Sequence, residues 1–413
     1  MSDKENYAKI SLIHKCADSN YAWWNDCVVY ELPFPASKND LELFSSSCHD
    51  LVQLGINTVL VRPSKIDFSA DENFINNFIN TFHRVGIKVI FQLSGPVPNL
   101  NNRFSSPFID FEKDSHILIN RAEIAIKNEV DGIDLGLIIE EDMDSELSVN
   151  SKHFVNMISN VKKIIESTDR QVIITASGNE RYLNSFNYYL ESNVIQHMRT
   201  DALVHAPFNA KVFLEKINES YALSDSFDYH CAWKYNLSNS LHENYPSAYS
   251  WSKTTENLEN RISALQLLFL GLPGSVYVNY FDELALPVSY RKTDYATALP
   301  IAQKAFEKQR KEEFSPWKTY KDALLARAQY NMGLGTIASV SGFEWANENT
   351  LVLVCEHIYI VVNMSGEEIT VPKEYELLVS SKPEIVSTHD TEQNCPECSI
   401  LPPETTAWFK VQS

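Results

Sequence analysis

Val130-Asp131-Gly132-Ile133-Asp134-Leu135-Gly136-Leu137 reads as a short strand: a polar entry, then β-branched and large apolar side chains interrupted by one carboxylate and two glycines. Seven other runs of similar length and make-up occur at residues 28–32, 58–61, 88–93, 172–176, 202–205, 229–233 and 275–280. Helical patterns lie between them. Leu41, Phe44, Cys48 and Leu51 fall at i, i+3, i+7 and i+10 of one helix that stops at Gly55. Phe74, Phe78, Phe82 and Val85 repeat the stripe before Gly86, and Ile262, Leu265, Leu268 and Phe269 do so before Gly271. Strands alternating with helices imply right-handed crossovers and a parallel sheet. Eight such units between residues 21 and 318 predict an α/β fold, a closed (β/α)8 TIM barrel.

The punctuation changes after a helix expected over residues 300–313, with Pro300 at its first position. Runs at 336–343, 350–355, 357–363 and 376–379 alternate or are wholly apolar, with Gly, Asn and Pro between them. They predict a C-terminal antiparallel β-sandwich domain over residues 319–413.

Composition narrows the partners. A formal charge of -19 argues against nucleic acid and anionic lipid, both of which require basic patches. No run of 18 apolar residues occurs, and the first twenty residues lack the apolar segment of a secretion signal. The seven cysteines are too sparse for a disulfide framework, and Cys27, Cys48, Cys231 and Cys355 sit in apolar runs that predict buried thiols. Cys395-Pro396-Glu397-Cys398 has the spacing of half a zinc site or of a redox pair and lacks the other half of a zinc site, so a local disulfide or two free thiols is expected there, and no metal or cofactor is expected in the chain. Three sequons, at Asn218, Asn236 and Asn363, fit a secreted or cell-surface chain and are expected on surface loops or strand ends.

Trp23-Trp24-Asn25-Asp26-Cys27-Val28-Val29-Tyr30 resembles the opening strand of the α-amylase superfamily, and Leu54-Gly55-Ile56-Asn57 and Gly86-Ile87-Lys88-Val89-Ile90 resemble the approaches to its next two strands. Gly271-Leu272-Pro273-Gly274-Ser275-Val276 with Tyr280-Phe281-Asp282-Glu283 is similar to the approach to its last. The resemblance places the family's nucleophile at Gly136 and its preceding arginine at Asp134. Where a general acid should follow the fifth strand, the chain reads Thr175-Ala176-Ser177-Gly178. A retaining glycosidase needs two carboxyl groups about 5–5.5 Å apart. Among replacements, Asp134 reads as a charge paired inside the barrel, Glu140, Glu141, Asp142, Asp144 and Glu180 as solvated loop charges, and His205 and His230 as satisfied barrel residues.

About twenty residues separate Leu93 from Asp114, so the insert usual after strand 3 is missing. On this ground the chain resembles the non-enzymatic branch, the heavy chains of heteromeric amino acid transporters. Residues 170–177, 188–193 and 231–233 are similar to matching stretches there. That resemblance implies a non-catalytic ectodomain of a type II single-pass plasma-membrane glycoprotein, extracellular and anchored through a segment absent from this chain. Residues 1–20 would be a stalk, with Cys16 forming an intersubunit disulfide to a transporter light chain that the heavy chain stabilises and delivers to the plasma membrane. A glycoside hydrolase or transglycosidase with relocated carboxylates, and a carbohydrate-binding or adhesion protein on an inactive barrel, remain as alternatives.

Overall fold

Eight parallel strands close on themselves in the computed structural model: Val28–Pro35, Thr58–Arg62, Lys88–Gln92, Gly132–Leu137, Ile173–Ser177, His197–Thr200, Ala232–Lys234 and Ser275–Asn279. They are β2 to β9; β1, Lys9–His14, belongs elsewhere. The structure describes residues 8–16, 21–63, 65–93, 111–137, 149–177, 194–200, 202–227, 229–234, 255–286, 294–383, 387–388 and 398–411. β9 pairs back onto β2, with Val28 opposite Val276, so the barrel has no edge to protect. Alternation then assigns each face. Val29, Leu60, Ile90, Ile173, Ala232 and Tyr277 fill the lower barrel interior. Val28, Val59, Val89, Ile133, Ile174 and Val276 face the surrounding helices in a second, larger core.

The first crossover forms two helices, Lys38–Ser46 and Cys48–Leu54, where one was expected. A capping box between Ser37 and Asp40 starts the first, and Ser47, at φ −92° and ψ 6°, breaks the pair without interrupting the buried stripe Leu41, Phe44, Cys48, Leu51. Gly55 closes the second helix at φ +95°, a conformation that costs a side chain about 1 kcal/mol or more.

The sixth barrel strand differs from expectation. Residues 202–205 form the short helix Ala202–His205, and His197–Thr200 is the strand. A four-residue apolar run does not distinguish strand from buried helix, and the true strand carries a histidine and an arginine inside the barrel. Pro300 also sits inside the helix Tyr295–Gln309 rather than at its start; Asp294 is the N-cap, accepting the Thr297 amide.

The C-terminal domain stacks two antiparallel sheets. The larger runs β1-β10-β11-β12-β17-β14, with β10 Ile337–Ser341, β11 Thr350–Cys355, β12 Ile358–Asn363, β14 Tyr375–Ser380 and β17 Thr405–Val411. The smaller holds β13 Ile369–Val371, β16 Cys398–Leu401 and β15 Ser387–Thr388 in that order. Val352, Val361 and Phe409 of one sheet meet Ile369, Val371 and Leu401 of the other. β1 lies within the stretch expected to be a stalk. It pairs antiparallel with β10, Lys9 opposite Ser341, as the sheet's outer strand.

One buried arginine joins the domains. Residue 318, the expected boundary, falls inside the helix Pro316–Gln329, and Arg327 on that helix is 3% exposed. Its guanidinium donates to the carbonyls of Leu270 at 2.8 Å, Leu272 at 2.7 Å and Gly274, the segment that leads into β9. Beside it Gly271 leaves no room for a side chain, since a Cβ would stand 2.6 Å from Ile360 Cδ1 and 3.1 Å from the Trp408 ring. Arg327→Met removes three charge-assisted donors from buried carbonyls. It should lower unfolding free energy in urea by ~3 kcal/mol or more, whereas Lys311→Met on the exposed surface should leave it unchanged.

Candidate functional site

Two residues above the apolar floor, at the C-terminal ends of the strands where barrel enzymes work, the inward positions turn polar. Glu31, Arg62, Asp134, Thr175, Arg199, Lys234 and Asn279 come from seven different strands and all are buried. Ser177 stands one step higher on the fifth. Three cations against two carboxylates leave this part of the mouth with an excess of one positive charge.

Asp134 is the best-held member. It is 0% exposed, and its Oδ2 accepts from Arg199 Nη1 and, at 2.5 Å, from Thr175 Oγ1. Its Oδ1 accepts the Gly136 amide at 2.8 Å. That last bond explains the glycine. Gly136 has φ +73°, and the pairing register of β5 and β6 shifts between Asp134 and Leu137, so the chain bulges there. The bulge turns an amide down onto the carboxylate in a conformation an aspartate would occupy only with strain. The reading of Asp134 as a paired interior charge holds.

Arg199 ties the ring together. Its Nε donates to Ser177 Oγ at 2.7 Å, and its guanidinium carbon lies 4.7 Å from the centre of the Tyr277 ring. Burial disfavours its charge, but the negative fields of Asp134, Tyr277 and Glu31 prevail and raise its pKa above the ordinary value. Glu31 is itself paired with Lys234 at 3.1 Å. Burial, with the like charge of Arg121, lowers Arg62 to about 10 against the pull of Asp134, and its Nε has no hydrogen-bond partner.

Beneath Arg199, His197 is fully buried between Tyr277 and Trp24. The Trp24 carbonyl only accepts, so Nε2 carries the hydrogen at 2.6 Å and Nδ1 receives the Tyr277 hydroxyl at 2.7 Å. Burial is the chief cause of a His197 pKa lowered to about 4, and the charge of Arg199 adds to it.

Of the residues singled out in the sequence, Gly136 and Asp134 belong to this mouth. Glu140, Glu141, Asp142, Asp144, Glu180, Asn236 and Cys395 lie outside the described residues, as does the side chain of His205. Cys27, Cys48, Cys231 and Cys355 are buried thiols as expected. Cys16 is half-buried, two residues past β1. Asn218 is exposed on the helix Ala210–Phe227, not on a loop. Asn363 requires a correction. It is 0% exposed, and its side-chain amide donates to the carbonyls of Glu367, Leu401 and Pro402, so the folded chain cannot carry a glycan there. Glu31, Arg62, His197, Arg199 and Lys234 were not singled out. The signal was present as polar residues at inward positions of the strands, as in His197 and Arg199 at i and i+2. Among the described residues no three His, Cys, Asp or Glu side chains gather as a metal site, and no helix is long and apolar enough to cross a membrane.

No protein-family model matches the chain, and comparison with curated proteins found no match. Solved structures do match. The chain is similar to an alpha-amylase from H. orenii (TM-score 0.63, 14% identity, covering 94% of this chain and 100% of that one). It is similar to a trehalose-6-phosphate hydrolase from Bacillus licheniformis (TM-score 0.61, 11% identity, 95% and 100% covered). It is likewise similar to an isomaltulose synthase from Erwinia rhapontici (TM-score 0.61, 10% identity, 96% and 100% covered). The likeness shows the α-amylase fold, a TIM barrel with its C-terminal β domain. It also corrects the functional expectation. The three chains named are enzymes, so the expectation of an inert transporter heavy chain, and of no enzyme at all, gives way.

The mouth has a pH signature. His197 folds neutral with a pKa near 4, below the unfolded value of 6.5, so its contribution to stability is complete above about pH 6.5 and is lost as pH falls toward 4. The whole effect amounts to ~3 kcal/mol. His197→Gln keeps a donor for Trp24 and an acceptor for Tyr277. Urea unfolding should show wild type losing ~2 kcal/mol more than this variant between about pH 7 and pH 5.

Proposed function

We propose that the chain acts on glycosidic bonds at the C-terminal mouth of its barrel, as a glycoside hydrolase or transglycosidase whose two carboxylates stand away from the positions usual in the fold. The observation that carries this reading is the pair of buried carboxylates at the barrel mouth, Asp134 held by Arg199 and Glu31 held by Lys234 at 3.1 Å. Two carboxyl groups are the minimum equipment for this chemistry. The fold shared with an amylase, an isomaltulose synthase and a trehalose-6-phosphate hydrolase supports it.

In this reading the chain divides the work between two ion pairs. Asp134, bonded to Arg199, Thr175 and the Gly136 amide, is the ionised partner for the positive charge that develops at the anomeric carbon. Glu31 accepts from the Lys234 ammonium at 3.1 Å, and a proton of Lys234 passes through it to the departing oxygen, the pair recovering one from the acceptor. Water as acceptor gives hydrolysis, and a second sugar gives transfer.

Maltooligosaccharides, sucrose and an aryl α-glucoside are the test substrates. Turnover of at least one is expected, falling ~10³-fold in Asp134→Asn and ~10²-fold or more in Glu31→Gln. Each variant leaves a buried cation without its partner and should lose ~3–5 kcal/mol of stability, so both need to be assayed below their melting temperatures. Partial recovery of Asp134→Ala with azide, yielding a glycosyl azide, would separate lost chemistry from lost structure. No turnover by wild type, or turnover that persists in both variants, overturns the proposal.

A further inference from the structure

Four arginines are buried among the described residues, and three of them are answered by acceptors. Arg327 donates to three backbone carbonyls, and Arg199 to Asp134 and Ser177. Arg121 donates to the Ile66 carbonyl at 3.4 Å, with its guanidinium carbon 5.0 Å from the centre of the Phe68 ring. Arg62 is the exception. It is 4% exposed, its Nε is shut off from water without a hydrogen-bond partner, and among the described residues no carboxylate pairs with it. The two acids of the polar ring are already committed, Asp134 to Arg199 and Glu31 to Lys234.

Arg62 ends the second barrel strand, Thr58–Arg62. Leu60, two residues before it, fills the barrel floor, so alternation turns Arg62 inward at the level of the polar ring. Burial, helped by the like charge of Arg121, lowers its pKa to about 10, and at neutral pH it still carries its proton. The surplus positive charge of the mouth is therefore the charge of Arg62. A guanidinium held out of water without a counter-charge is costly to the fold. Kept at the working end of a barrel, it marks a place for a group that comes from outside the chain.

The chemistry of that group follows from the donor. A guanidinium offers parallel N–H bonds that match the oxygens of a carboxylate or a phosphate. A sugar hydroxyl would occupy one donor and leave the charge unanswered, and a metal cation would be repelled. One strand alone separates the strand of Arg62 from that of Asp134, which places the two backbones within roughly 10 Å, the span of one hexose and a substituent. We propose that Arg62 is a specificity-determining residue that pairs with an anionic group, a carboxylate or a phosphate monoester, carried on the sugar bound at the mouth. This names a substrate class for the glycosidase reading and rests on that reading for the sugar alone.

Calorimetric titration of the full chain with glucose, glucuronate, glucose 6-phosphate and inorganic phosphate tests it without turnover. One or both anionic sugars should bind about tenfold or more tightly than either glucose or inorganic phosphate, and the tighter of the two identifies the group. Arg62→Met should erase that preference, and Arg62→Lys, which keeps the charge and loses the fork, should retain part of it. Urea unfolding separates this role from a structural one: with no partner left behind, Arg62→Met should unfold at the same urea concentration as wild type or a higher one. Anionic sugars bound with no turnover of any aryl glycoside would keep the assignment and sink the glycosidase reading. Turnover confined to neutral glucosides, with no preference in binding, would do the reverse. Equal affinity for glucose and both anionic sugars, inorganic phosphate bound as tightly as glucose 6-phosphate, a preference that survives Arg62→Met, or loss of stability in that variant overturns the assignment.

Discussion

A carboxylate buried at the mouth of a barrel needs compensating partners, and the position of Asp134 imposes that condition on the strands around it. Removing one ion of such a pair from water costs several kcal/mol, which is recovered only when geometry and further hydrogen bonds are good. Here the compensation comes from three directions: the Arg199 guanidinium, the Thr175 hydroxyl and the Gly136 amide. Each fixes something larger. Arg199 sets the register of β7 against β6, Thr175 opposite His197. The bulge at Gly136 sets how β5 ends, and hence how the chain leaves the barrel mouth. The ring above the apolar floor is thus one electrostatic unit in which Glu31, Lys234 and Arg62 feel the same field.

Much of the barrel was legible because its signals are local. The stripe Leu41, Phe44, Cys48, Leu51 is buried as the periodicity requires, and glycines at 55 and 86 end their segments with positive φ. What escaped was information spread over long distances. Arg199 meets Asp134 across 65 positions, and without that pairing a strand reading His-Met-Arg-Thr is indistinguishable from a loop. β1 finds its partner more than 300 residues away. The Asn363 sequon fits its three-residue pattern, yet only the folded sheet shows that the amide is already committed to three carbonyls. At the site, the residues read off the sequence defined what the family position lacks, a carboxylate at 136. The polar ring that replaces it is visible only when seven strands are brought to one level. Function was misread for that reason: missing residues were weighed, and assembled ones could not be.

The two domains share apolar surface as well as hydrogen bonds. Trp408, fully buried in β17, packs where Gly271 ends the helix Thr255–Gly271, and Thr406 Oγ1 donates to the Ala264 carbonyl of that helix at 2.7 Å. With Arg327 holding the segment into β9, the closing strand of the barrel is positioned by groups of the helix and sheet that follow it. The C-terminal sheet is therefore packed against the end of the barrel at which β9 enters, opposite the mouth.

The pairing of β1 with β10 reverses the order in which the molecule can be completed. During synthesis the strand made first leaves the ribosome long before the strand it zips to, and the whole barrel must be translated in between. Until then Ile10 and Leu12, which remain 62% and 65% exposed even in the finished sheet, have no neighbouring strand to hydrogen-bond. The segment that carries β1 thus remains a loose thread while the barrel is translated, and its capture by β10 is a late, long-range loop closure.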